Sequence, residues 1–132
     1  MKVRPATFLA AGALLGALSG CGGASDEEQV RGTLKTYFDA VVDGDGHGAC
    51  ARLSRSGQRD LIHSVAASRT CAQAVTQYRA GLTPAQRAQL RAVRVERVMV
   101  DGDRATAYIR GVPGVRSGSL EREDGSWKVA AR

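Results

Sequence analysis

The chain predicts an α+β fold, with N-terminal helices packed on a curved antiparallel sheet of about four strands and an export signal in front. Three observations carry that expectation. Apolar residues recur at helical spacing from Val30 to Leu90. After Ala92 the period changes to alternation. Glycine-centred turn signals then cut the remainder into strand-length pieces.

Val30, Leu34, Tyr37, Phe38, Val41 and Val42 define the first helix, with Asp26, Glu27 and Glu28 where a helix N-terminus favours negative charge. It should stop at Asp43-Gly44-Asp45-Gly46, because glycine forfeits helix propensity and aspartate prefers local backbone bonds. Ala49, Cys50 and Leu53 suggest a short second helix, and Leu61, Ile62 and Val65 a turn or two more before Ser68. Cys71, Val75, Tyr78 and Leu82 repeat at helical spacing in a further helix ended by Gly81. Thr83-Pro84 is a cap followed by proline at the first helical position, opening a helix through Leu90.

Val93 and Val95, then Val98 and Val100, alternate up to the Asp101-Gly102-Asp103 turn, but the parity slips by one between Val95 and Val98. A β-bulge near Glu96 and Arg97 accounts for the slip. On the return strand, Ala105, Ala107 and Ile109 share one face, and Thr106, Tyr108 and Arg110 the other. A turn around Pro113 leads to a strand from Val115 to Glu123, and Trp127, Val129 and Ala131 alternate on the last one.

The first 21 residues set the address. Lys2 and Arg4 precede an uncharged run from Ala6 to Ala17 that ends in Leu18-Ser19-Gly20-Cys21. That pattern is a signal peptide over residues 1–20 closed by a lipobox. The run has about a dozen residues where a membrane span needs roughly 20, so cleavage is expected rather than a transmembrane helix. In bacterial lipoproteins, which these residues resemble, the cysteine at the place of Cys21 receives a diacylglyceryl thioether, and its freed amine is open to a further acyl group such as palmitate. Residues 21–26, glycine-rich and without large apolar side chains, then form a tether between lipid and domain. The expected address is the extracytoplasmic side of the cell membrane.

Removing the signal leaves a chain long enough for one small domain. Its 17 basic and 13 acidic residues give a formal charge of +4. The arginines are spread from Arg31 to Arg132 without interleaved stacking aromatics, so no nucleic-acid partner is expected. A mildly cationic surface would favour anionic headgroups within a Debye length. Arg outnumbers Lys 16 to 3, the bias of GC-rich codons.

With Cys21 committed to lipid, Cys50 and Cys71 remain as an even pair in an oxidising compartment, and a disulfide is expected between them. Its loop of about 22 residues corresponds to about 3 kcal/mol in the chain-entropy account. Zinc would need two more ligands, and His47 and His63 lack the paired spacing. Asp43, Asp45, His47 and Gly48 echo the start of a calcium loop, but Ser54 stands at the twelfth position where a bidentate glutamate belongs. Neither metal nor cofactor is expected.

The run Tyr37-Phe38-Asp39-Ala40-Val41-Val42-Asp43-Gly44-Asp45, followed by Ala49 to Leu53 and the C-terminal meander, resembles the nuclear transport factor 2-like superfamily over about residues 27–132, and within it small exported actinobacterial lipoproteins. The resemblance implies a cone in which a bent antiparallel sheet wraps a long first helix. Enzymes of that superfamily include ketosteroid isomerase, in which a first-helix tyrosine donates to the developing oxyanion. Tyr37 falls at that place, but the segment Ser54 to Arg69, where the general base belongs on a strand, has a helical pattern here.

Two functions follow as expectations. The first is a non-enzymatic, membrane-anchored envelope lipoprotein that binds a small apolar ligand or an envelope protein. Its pocket would be lined by Leu34, Tyr37, Phe38, Val75, Tyr78 and Trp127, and a homodimer contact would run through Tyr108 and Val98 or Val100 on the outer sheet face. The second is a small isomerase, dehydratase or hydrolase using Tyr37 with His47 or a neighbouring aspartate. Convergence of those groups on one cavity discriminates the two.

Overall fold

The computed structural model describes residues 23–131, so the signal expected at 1–20 and the lipidation expected at Cys21 lie outside the described residues. Five helices pack against one open antiparallel sheet: α1 (Asp26–Asp43), α2 (Gly46–Ala51), α3 (Arg55–Ser64), α4 (Cys71–Ala80) and α5 (Pro84–Arg91), then β1 (Arg94–Asp101), β2 (Arg104–Arg110), β3 (Ser117–Glu123) and β4 (Ser126–Val129) in spatial order β1-β2-β3-β4. Among the described residues no helix is long and apolar enough to cross a membrane.

Each helix start has its own chemistry. Ser25, Asp45, Ser54, Thr70 and Thr83 cap the five N-termini by accepting a backbone N–H three residues on, as short polar side chains do where the first turn leaves donors unpaired. Thr83 and Gln86 complete a reciprocal capping box ahead of Pro84. α1 ends at Gly44, whose φ of 73° suits a residue without Cβ, and Arg79 of α4 donates to the carbonyl of Val42 at 2.6 Å. α3 approaches β4 so closely that a Cβ on Gly57 would stand 2.5 Å from the carbonyl oxygen of Val129. An isolated parallel bridge between Leu53 and Val129, with Ser54 N–H donating to the Val129 carbonyl at 2.8 Å, locks this approach.

The bulge is present. The β1–β2 register shifts between Val95 and Arg97, so Val95 faces Ile109, Arg97 faces Tyr108, Val98 faces Ala107 and Val100 faces Ala105. This corrects the homodimer surface expected from sequence. Ala105, Ala107 and Ile109 are buried, so Val98 and Val100 belong to the core face, while Tyr108 belongs to the outer one. β3 starts at Ser117 rather than Val115, because Val115 N–H closes the preceding turn on the Val112 carbonyl. β4 ends at Val129 rather than Ala131, whose N–H reaches Ser56 Oγ of α3 instead.

Two apolar clusters form the interior. One joins Val30 and Leu34 of α1 to Ala105, Ala107, Ile109, Leu120 and Trp127 of the sheet. The other joins Val41 and Val42 to Ala49, Leu53, Cys71, Val75 and Leu90 among the helices. Phe38, Val112 and Val129 touch both.

A cleft at the end of the last strand

The candidate site arises because β4 is shorter than β3. Leu120 opposite Val129 is the last register pair between them; beyond it Ala130 N–H still donates to the Ser119 carbonyl at 2.9 Å, and Ser117 to Ser119 form the β3 side of an opening at the end of β4. Behind that edge lies a cavity of about 180 Å3 walled by Leu34, Phe38, Leu90, Ile109, Val112 and Val115. A second cavity of about 440 Å3 adjoins it, walled by Tyr37, Val41, Asp60, Leu61 and Ser64, with Phe38, Tyr78 and Leu90 common to both. Small-molecule sites commonly span about 300–1,000 Å3, so the smaller space is too tight alone and the larger falls within range.

The smaller cavity is lined mostly by apolar side chains, whereas the larger one also carries Tyr37, Asp60, Ser64 and Tyr78. Tyr37 stands on the α1 side of it. Its ring packs 5.3 Å from that of Phe38, tilted by 58°, and its hydroxyl has no hydrogen-bond partner among the described residues. Burial, and secondarily the neighbouring Tyr78, push the phenol up to about 12, so it remains a neutral donor at neutral pH. Tyr78 stands at the mouth, 43% exposed.

Of the residues expected to line a pocket, Leu34, Phe38 and Tyr78 border the smaller cavity, and Tyr37, Phe38 and Tyr78 the larger one. Val75, 1% exposed, sits in the helical cluster, and Trp127, 3% exposed, in the sheet cluster; neither borders these two cavities. Trp127 Nε1 instead donates to Asp26 at 3.1 Å, beneath the guanidinium of Arg122. Leu90, Val112 and Val115 border the smaller cavity without having been expected to; Val112 and Val115 flank the Pro113-Gly114 turn, and Leu90 lies in the last turn of α5.

The acid–base partners proposed for Tyr37 lie elsewhere. His47 borders a separate shallow depression with Arg69, Gln73 and Thr76. Asp39 pairs with Lys35 and Asp43 with Arg91, each at 2.7 Å, while Asp45 caps α2 through Gly48 N–H at 2.9 Å. The Asp43–Asp45 segment is thus a helix-ending turn. His63 is exposed in the last turn of α3. Asp60 does share the larger cavity with Tyr37. Cys50 and Cys71 are joined, Cα to Cα 6.0 Å, tying α2 to α4 within the helical cluster and away from the residues that border the two cavities.

Comparison with known proteins finds no matching family model, no matching curated protein and no matching solved structure.

Proposed function

We propose that this chain is an exported lipoprotein, anchored by acyl chains on Cys21, whose domain is of the nuclear transport factor 2-like type and holds a small apolar ligand in the cleft between α1, α4, α5 and the β2–β3 loop. One observation carries the reading: two adjoining cavities, the smaller lined mostly by apolar side chains, meet at Phe38, Tyr78 and Leu90 behind the start of β3. An apolar wall with a few polar groups is the ordinary make-up of a binding pocket. The lipobox pattern at Leu18-Ser19-Gly20-Cys21 supports the anchor, and the long first helix packed on a meander supports the superfamily.

A second reading, a small isomerase, dehydratase or hydrolase acting in the same cleft, has Tyr37 and Asp60 on one cavity wall in its favour. No hydrogen bond joins them, and His47 lies in another depression. Binding is therefore the better supported role.

The binding role is tested at Gly118. Its Cβ would sit 3.5 Å from Ile109 Cδ1, an ordinary contact, and from there a larger side chain extends into the smaller cavity. Gly118→Val is expected to fold normally and to lose binding of an environment-sensitive apolar dye. Unchanged dye binding would refute the cleft. The anchor is tested separately by metabolic labelling with an alkyne fatty acid, which should mark the wild type and not Cys21→Ala.

A further inference from the structure

The cleft does not end at Ser117 and Ser119. The same two residues border, on their outer side, a depression of about 440 Å3 shared with Gly114 and Arg116. Val115, on the cavity wall, and Arg116, in the depression, are consecutive, so the chain passes from apolar wall to cation within one residue at the mouth. Arg116 is exposed and has no ion-pair partner among the described residues.

The surroundings reinforce that positive charge. Ile109 N–H donates to the Arg116 carbonyl at 2.9 Å, which sets Arg116 beside the end of β2 where Arg110 lies. Arg110 in turn stands directly opposite Arg94 in the β1–β2 register. Like charges opposed across a ladder repel, and Glu96, 2.7 Å from Arg110 Nε, offsets only one of them. Arg97 lies on the same outer face, 4.2 Å above the Tyr108 ring. Arg94, Arg97 and Arg110 thus share the outer face of β1 and β2 beside the segment that carries Arg116, where Glu96 is the carboxylate paired with Arg110. The far end of the same face is neutralised: Arg104 lies opposite both Asp101 and Glu121.

We infer that the ligand is an anionic amphiphile, with its hydrocarbon part in the cavities behind β3 and its carboxylate or phosphate head at Arg116. This rests on the binding role proposed above and adds the chemical class. Guanidinium is suited to both heads because its planar fork pairs with two oxygens at once. Hydroxyls at Ser119 and Thr106, opposite each other in the β2–β3 register, give the outer rim further hydrogen-bonding groups.

The experiment uses the purified full chain in a neutral, non-ionic detergent and three probes of similar chain length: a long-chain fatty acid, a lysophosphatidylglycerol and an uncharged monoacylglycerol. Displacement of the apolar dye reports affinity. The wild type is expected to prefer both charged probes over the uncharged one by about tenfold, the weight of one charge-assisted contact. Arg116→Gln should remove that preference while leaving the uncharged probe unaffected, and Gly118→Val should remove binding of all three. A larger loss for the lysophospholipid than for the fatty acid in Arg116→Gln identifies a phosphate head, and the reverse a carboxylate. Equal affinity for charged and uncharged probes in the wild type, or a preference that survives Arg116→Gln, would overturn the inference and leave the apolar cleft standing. If no probe displaces the dye, and Gly118→Val binds it as the wild type does, the binding role itself fails and the inference with it.

Discussion

The two halves of the interior are held together by different means. The sheet-side cluster rests on a continuous ladder of antiparallel pairs between strands adjacent in sequence, covered by the longest helix. The helix-side cluster is assembled from helices of 6, 10, 10 and 8 residues, all below the roughly 12–15 residues at which isolated helices become even marginal in water. It therefore depends on caps, on contact with α1 and on the Cys50–Cys71 bond. The sheet side should hold by packing and the helix side by restraint, and the cleft lies where they meet, at Phe38 and Val112.

The largest expected effect is on the sheet side. Trp127→Ala removes a buried indole, its place under Arg122 and its bond to Asp26, and should lower unfolding free energy by about 3–5 kcal/mol in urea titration. A loss under 1 kcal/mol would mean that the sheet cluster is not what holds this half. Next comes Cys50→Ser with Cys71→Ser, with an expected loss of about 3 kcal/mol. Here the pattern matters more than the size: amide exchange should quicken first in α2 and α4 while the β1–β3 ladder stays protected. Uniform acceleration would merge the two halves into one cooperative unit. Thr83→Ala, which breaks the capping box, should cost about 1 kcal/mol and shift exchange mainly in α5.

The smallest effect is electrostatic and belongs to the start of α1. Hydrogen bonds from Trp127 and Arg122 hold the Asp26 carboxyl below its ordinary 3.8. A carboxylate with a depressed folded-state pKa adds stability above its unfolded pKa and loses it as pH falls through the folded one. Acid titration of Asp26→Asn should accordingly show a shallower stability loss below about pH 4, modest because the pair is solvent-screened. An acid limb as steep as the wild type's would show that the Asp26–Arg122–Trp127 contact is not coupled to folding.

The strands and most helices were legible because their signals are local. Thr83-Pro84 names a helix start, and the slip between Val95 and Val98 names a bulge that the register contains. The same slip should have moved Val98 and Val100 to the core face, since one extra residue inverts every later side chain. The cysteine pairing followed from arithmetic. The cleft did not, because it depends on β4 ending at Val129 while β3 runs back to Ser117, a difference decided by α3 docking on the last strand through Leu53, Ser54 and Gly57. Periodicity marks which residues are apolar. It does not mark which of them lose a neighbour when a strand stops early, and so Val75 and Trp127 looked equivalent to Leu34 and Phe38.

Native mass spectrometry of the protein, recovered from its own cells in non-ionic detergent and compared with its denatured mass, tests the central claim most directly. The account predicts a stoichiometric excess over the covalent mass that disappears on denaturation and is missing from Gly118→Val. Covalent mass alone in the wild type, with apolar probes failing to add to it, would contradict a ligand-holding cleft.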